Sequence, residues 1–116
     1  MDSAEKEGLQ QAVYDIVRLV PHGRATSYAA IARAAGYPSH SRLVGRMMAG
    51  CSDEGVEGVE GVPAHRVVNS QGVLSGRAAF GAPDRMQSLL ESEGVAIVNH
   101  RIQNWKRIFW SPIDEI

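Results

Sequence analysis

The sequence predicts a mainly α domain with short β segments, centred on a helix-turn-helix. Leu9, Val13, Ile16, Val17 and Val20 recur at helical spacing and mark one amphipathic helix. Two further helical stretches flank the turn Gly36-Tyr37-Pro38, and short helices around a tight glycine-containing turn make a helix-turn-helix. The β-branched pair Val67-Val68 opens a short buried strand. With 116 residues the chain is read as one domain, 1–116, able to bury a modest core.

In chain order, Pro21-His22-Gly23 stops the first helix. Thr26 and Ser27 supply capping oxygens for a second helix over about Tyr28 to Ala35, ended by Gly36. Ser39 or Ser41 is expected to cap a third, running to about Ala49. On that helix Leu43, Val44 and Met47 are placed toward the core, while Arg42 and Arg46 share the exposed face one turn apart. Gly45 lies among them at a helix-propensity cost of about 1 kcal/mol, explained either by close helix packing or by close approach of a ligand. Residues 52–61, polar and glycine-rich, read as a mobile acidic loop. Cys51 before it reads as a small buried hydrophobe.

Asn69-Ser70-Gln71-Gly72 reads as a turn, followed by Val73-Leu74-Ser75-Gly76. A fourth helix is expected over Pro83 to Glu93, apolar at Met86, Leu89 and Leu90 and closed by Gly94. Glu93 at its C-terminal end opposes the helix dipole, which a buried partner such as His65 would explain. Residues 95–98 and 102–105 are expected to add edge strands, with Phe109-Trp110 capping the core.

Several functional classes are set aside by composition. One cysteine forms no internal disulfide, and four scattered histidines lack metal-ligand spacing, so neither a metal nor another cofactor is expected. No run is long enough to span a membrane, and the acidic Met1-Asp2-Ser3-Ala4-Glu5 is no signal peptide. The expected location is the cytoplasm, in association with the nucleoid, or the nucleus of a eukaryote. Net charge is −1, but the charges are segregated. No acidic residue falls between Asp15 and Asp53, an interval that holds Arg18, Arg24, Arg33, Arg42 and Arg46. Such a chain can present a basic face to nucleic acid while near neutral overall.

The segment Val62-Pro63-Ala64-His65-Arg66-Val67-Val68 carries the chemistry, because His65 titrates near neutral pH and Pro63 fixes the backbone before it. It resembles the Pro-Cys-His-Arg-Val motif in the DNA-binding domain of the O6-alkylguanine-DNA alkyltransferases. The resemblance extends to Val20-Pro21-His22-Gly23-Arg24-Ala25-Thr26-Ser27-Tyr28, Arg42-Leu43-Val44-Gly45, Gly72-Val73-Leu74-Ser75-Gly76 and Leu89-Leu90-Glu91-Ser92-Glu93-Gly94, in family order over about residues 9–97. Ala64 stands where the family carries its acceptor cysteine, as in the alkyltransferase-like proteins.

The resemblance implies a winged helix-turn-helix-like DNA-binding domain whose third helix enters the minor groove. DNA contacts then fall on Tyr28, Ser39, His40, Ser41, Arg42, Gly45, Arg46 and Ser70. Arg42 fills the place of an extruded base, and Tyr28 presses on the neighbouring phosphate. The alkylguanine pocket falls on Tyr28, Pro63, Ala64, His65, Arg66, Val67, Leu74 and Ser75. Glu93 matches the glutamate that orients the family's histidine, so His65 and Glu93 become vestiges of a relay that once made a thiolate. The implied function is a non-enzymatic sensor: a monomer that binds double-stranded DNA containing O6-alkylguanine and flags it for nucleotide excision repair proteins. Cys51 departs from the family's asparagine, and the acidic loop is longer than usual. Three alternatives stand beside this reading: a helix-turn-helix transcriptional regulator, a divergent alkyltransferase using Cys51, and a hydrolase using His65 and Glu93.

Overall fold

The computed structural model describes residues 1–51, 61–82 and 84–115. Helix α1 spans Ser3–Arg18, with Asp2 as N-cap accepting the Glu5 N–H at 2.8 Å. Val20, placed by period on this helix, is buried but lies beyond its end, in the turn that Pro21 enforces. A two-residue strand β1, Thr26–Ser27, leads into α2, Tyr28–Ala34, and Ser27 Oγ caps it by accepting the Ala30 N–H at 3.1 Å. Thr26 does not cap. Its hydroxyl is fully buried with no partner among the described residues, and its backbone pairs in parallel with Val67 of β2, Val67–Val68. That pairing joins segments about 40 residues apart, so no local pattern announces β1.

The helix-turn-helix closes as expected. Gly36 takes φ +90°, and the Tyr37 N–H reaches the Ala32 carbonyl at 2.9 Å while the Gly36 N–H reaches that of Arg33. These two bonds satisfy the last carbonyls of α2 and turn the chain into α3, Ser41–Cys51. Neither serine caps α3. Ser41 is its first residue, and the Ser39 hydroxyl lies 3.2 Å from His40 Nδ1 instead. Val44 is fully buried, Met47 and Met48 nearly so, and Leu43 only half-buried. Burying side chains of this size contributes about 1.5–3 kcal/mol each.

A 3-10 turn, Ala64–Arg66, precedes β2, and a second, Arg77–Phe80, precedes α4, Arg85–Ser92. The expected helix start at Pro83 lies outside the described residues, as does loop 52–60. Gly94 at φ +88° ends α4 with the same kind of bonds as Gly36, from Gly94 to Glu91 and from Val95 to Leu90. Glu93 is therefore the residue at the helix cap itself. The expected edge strands shrink to an antiparallel hairpin of β3, Ile97–Val98, and β4, Arg101–Ile102. Trp105 belongs to a short helix, α5, Trp105–Ile108, because Asn104 adopts a left-handed conformation and breaks the strand. Helix α6 follows at Pro112–Glu115, and Trp110 is buried as expected. The core gathers α1, α2, α3, β2, α4 and the inner face of the hairpin around Ile31, Leu74 and Leu90. No helix among the described residues is long and apolar enough to cross a membrane.

Candidate nucleic-acid interface

The motif around His65 folds into a buried ion cluster. His65 Nε2 lies 2.6 Å from Glu93 Oε2, and the Arg66 guanidinium grips the same carboxylate through Nε and Nη2 at 2.8–3.2 Å. Arg66 Nη1 donates to the Val20 carbonyl at 2.9 Å, and the Gly23 N–H donates to Glu93 Oε1 at 3.0 Å. The Glu93 side chain is only 6% exposed. Burial alone would raise its carboxyl, but Arg66, Gly23 and His65 together bring it down to about 2. An ionised carboxylate only accepts, so His65 Nε2 carries the proton and donates. Burial also holds the His65 imidazole below its ordinary 6.5, against the pull of Glu93. At neutral pH the cluster is a neutral histidine, a carboxylate and a guanidinium.

The expected His65–Glu93 pair therefore forms. Arg66, also expected at the pocket, is the third member, with its side chain donating to Glu93 and to the Val20 carbonyl. Gly23 is a participant that the sequence does not announce. Its φ of +82° frees the N–H to point at Glu93, and a Cβ there would crowd the Glu93 carbonyl at 3.3 Å. A glycine near a proline signals the turn, but not the carboxylate 70 residues away.

Ala64 is buried, with Pro63 half-buried before it. Of the other residues expected at the pocket, Val67 and Leu74 are core residues, whereas Ser75, like Ser70, is exposed on the following turn. Asn69 Oδ1 shapes that turn by accepting the N–H groups of Gln71 and Val73 at 2.9 Å.

Tyr28 is the seam between this region and α3. Its ring lies 3.9 Å from where a Cβ on Gly45 would sit, and its hydroxyl 2.5 Å from where one on Gly76 would sit. Gly76 is thus obligatory for the tyrosine's position. Gly45 is not forced by packing, since 3.9 Å is an ordinary contact. The side of α3 bearing Arg42 and Arg46 is exposed, and neither arginine makes an ion pair among the described residues. His40 is held edge-on to Tyr37 at 5.5 Å.

The basic face is narrower than the charge distribution suggests. Arg18 pairs with Asp15 at 3.1 Å. Arg24 turns away to hold the Ile108 and Phe109 carbonyls at 3.0 and 2.7 Å, tying down the C-terminal segment. Among the described residues no three His, Cys, Asp or Glu side chains converge as metal ligands. The Cys51 side chain lies outside the described residues.

The family model for the DNA-binding domain of 6-O-methylguanine DNA methyltransferase matches residues 8–95. Alkyltransferase-like protein 1 of Schizosaccharomyces pombe is 36% identical over 86% of this chain and 92% of its own length. A DNA base-flipping protein of Vibrio parahaemolyticus is 32% identical over 86% of this chain and 93% of its own. Among solved structures, S. pombe Atl1 in complex with damaged DNA containing O6-carboxymethylguanine superposes with a TM-score of 0.75 at 33% identity, covering 95% of this chain and 98% of that one.

Proposed function

Because this chain belongs to the family of the 6-O-methylguanine DNA methyltransferase DNA-binding domain, and to its alkyltransferase-like members, we propose that it is a non-enzymatic sensor of O6-alkylguanine in duplex DNA. The reading rests on Ala64, a buried methyl group beside an intact His65–Glu93 pair, where the resemblance puts the family's acceptor cysteine. Alkyl transfer needs a thiolate with a lone pair to attack the alkyl carbon. A methyl group offers none. The small side chain leaves space for an alkyl substituent, so binding without turnover is what the site favours.

In this reading α3 lies in the minor groove, with Gly45 admitting the backbone closely and Arg42 filling the stack left by the flipped base. Arg46, Ser39, His40, Ser41 and Ser70 hold the flanking backbone, and Tyr28 turns the target phosphate from its seat on Gly76. Pro63, Ala64, His65 and Ser75 line the pocket. An alkylated guanine pairs poorly and costs less to extrude than a normal base, which supplies part of the selectivity. A bound, unrepaired lesion then requires another repair activity, for which nucleotide excision repair is the fitting class.

Titration of matched duplexes with and without O6-methylguanine, at fixed salt, tests the reading. Tighter binding of the lesion, with no methyl adduct on the protein by mass spectrometry, is expected. Equal affinities sink the sensor; an adduct on Cys51 sinks the claim that it is not an enzyme. Ala64→Cys should restore weak transfer at most, since the departures at Cys51 and the acidic loop disturb the alignment a sulfur would need.

A further inference from the structure

We propose that the β3–β4 hairpin is a second DNA-contacting element, with Arg101 at its tip holding a backbone phosphate of the duplex that α3 binds. The inference rests on the duplex-binding part of the proposed function and is independent of lesion recognition. From Gly94 to Ile113 the chain carries no acidic residue, while Arg101, Lys106 and Arg107 fall in that interval. This is a second acid-free stretch, as unmixed as the one that contains α3.

The hairpin is built to hold its tip still. Asn99 and His100 both take positive φ, 52° and 62°, the pattern of a tight two-residue turn that glycine would adopt at less cost. Side chains are therefore retained at the tip against a conformational preference. Main-chain bonds pin the tip to the turn bearing Ser70 and Ser75: the Leu74 N–H donates to the His100 carbonyl and the Ile102 N–H to the Gly72 carbonyl, both at 2.8 Å. Val73 also bridges Arg101. Trp105 braces the same turn, donating from Nε1 to the Ser70 carbonyl at 3.1 Å and lying against Gly72, where a Cβ would meet its ring at 3.1 Å.

The tip is continuous with the proposed DNA face. The Tyr28 ring lies 3.9 Å from where a Cβ on Gly45 of α3 would sit and its hydroxyl 2.5 Å from where one on Gly76 would sit, and Ser75 and Leu74 lead from Gly76 directly to His100. Along the hairpin Ile97 and Ile102 point into the core, while their neighbours Val98 and Arg101, paired across the strands, are exposed. Arg101 makes no ion pair among the described residues. An exposed arginine on a pinned backbone at the rim of a DNA face has a phosphate as its fitting partner.

The test is a salt series with wild type, Arg101→Ala, Arg101→Lys and Arg101→Glu on lesion and unmodified duplexes, with unfolding curves as a check on folding. Arg101→Ala should weaken both duplexes by the same factor, about fivefold, as expected for one exposed charge pair. Its plot of log affinity against log salt should flatten by about 0.9, the slope that neutralising a single phosphate contributes. Arg101→Lys should keep most of the affinity, and Arg101→Glu should lose more than alanine. Unchanged affinity and slope in a folded Arg101→Ala overturn the proposal; so does a loss confined to the lesion duplex, which would put Arg101 in the pocket. The sensor reading fails separately, through equal wild-type affinity for lesion and unmodified duplexes.

Discussion

Arg42 and Arg66 are the same residue type in two regions of one small molecule, and their surroundings give them opposite uses. Arg66 is half-buried, grips Glu93 through two nitrogens and spends a third on the Val20 carbonyl. Arg42 is exposed on α3 and has no ion-pair partner among the described residues. Removing water from a guanidinium is expensive, so a buried arginine must have its donors matched and becomes structural. An exposed one is worth almost nothing to the fold and is available to a ligand. The buried cluster and the α3 face should therefore separate cleanly under mutation, one moving stability and the other binding.

The largest expected effect is on the buried side. Glu93→Ala leaves Arg66 without its counter-charge and strips partners from His65 and Gly23. Breaking a buried pair from one side costs about 3–5 kcal/mol. Urea unfolding should show that loss, and a change below about 1 kcal/mol would mean the cluster is solvated in solution. Acid should make the same point more gently. Glu93 titrates near 4.5 when unfolded and about 2 when folded, so its contribution is present above 4.5 and is lost as pH falls toward 2. That shift corresponds to roughly 3 kcal/mol. His65 is also held below its ordinary value, so the unfolded chain takes up its proton first and stability begins to decline as pH drops below 6.5. Unfolding free energies measured from about pH 7 to about pH 3 should fall throughout. A flat profile in Glu93→Gln over the lower part of that range would assign the fall there to Glu93.

On the α3 face the pattern should invert. Arg42→Ala should leave the unfolding curve within about 0.5 kcal/mol of wild type. Binding to an O6-methylguanine duplex should weaken by about 1–3 kcal/mol, and by less on the unmodified duplex. An equal loss on both would make Arg42 a phosphate contact and not an occupant of the vacated stack. The smallest effect sharpens the comparison most. Among the described residues Gly45→Ala meets only Tyr28, at 3.9 Å, so the fold should gain up to about 1 kcal/mol of helix propensity. Binding of either duplex should weaken if α3 approaches DNA through that backbone. A variant both more stable and a better binder would show that Gly45 serves neither purpose proposed for it.

Much of this molecule is legible in its residues taken in order. The apolar period of α1, the Gly36 and Gly94 caps, the serine ahead of α2 and the helix-turn-helix are short-range events, each decided within a few residues. The Pro63-Ala64-His65-Arg66 motif and the alanine at its centre can likewise be read directly. What tertiary structure alone decided is who meets whom. The parallel pairing of Thr26 with Val67, the spending of Arg24 on Ile108 and Phe109, the Gly23 N–H on Glu93 and the seating of Tyr28 on Gly76 each join residues far apart in the chain. Such pairings leave no periodicity behind. A glycine or an arginine looks the same in sequence whether its partner is a carboxylate, a ring or solvent. Only folding, by setting which charges lose their water, divides the arginines between those that hold the protein together and those left exposed to bind.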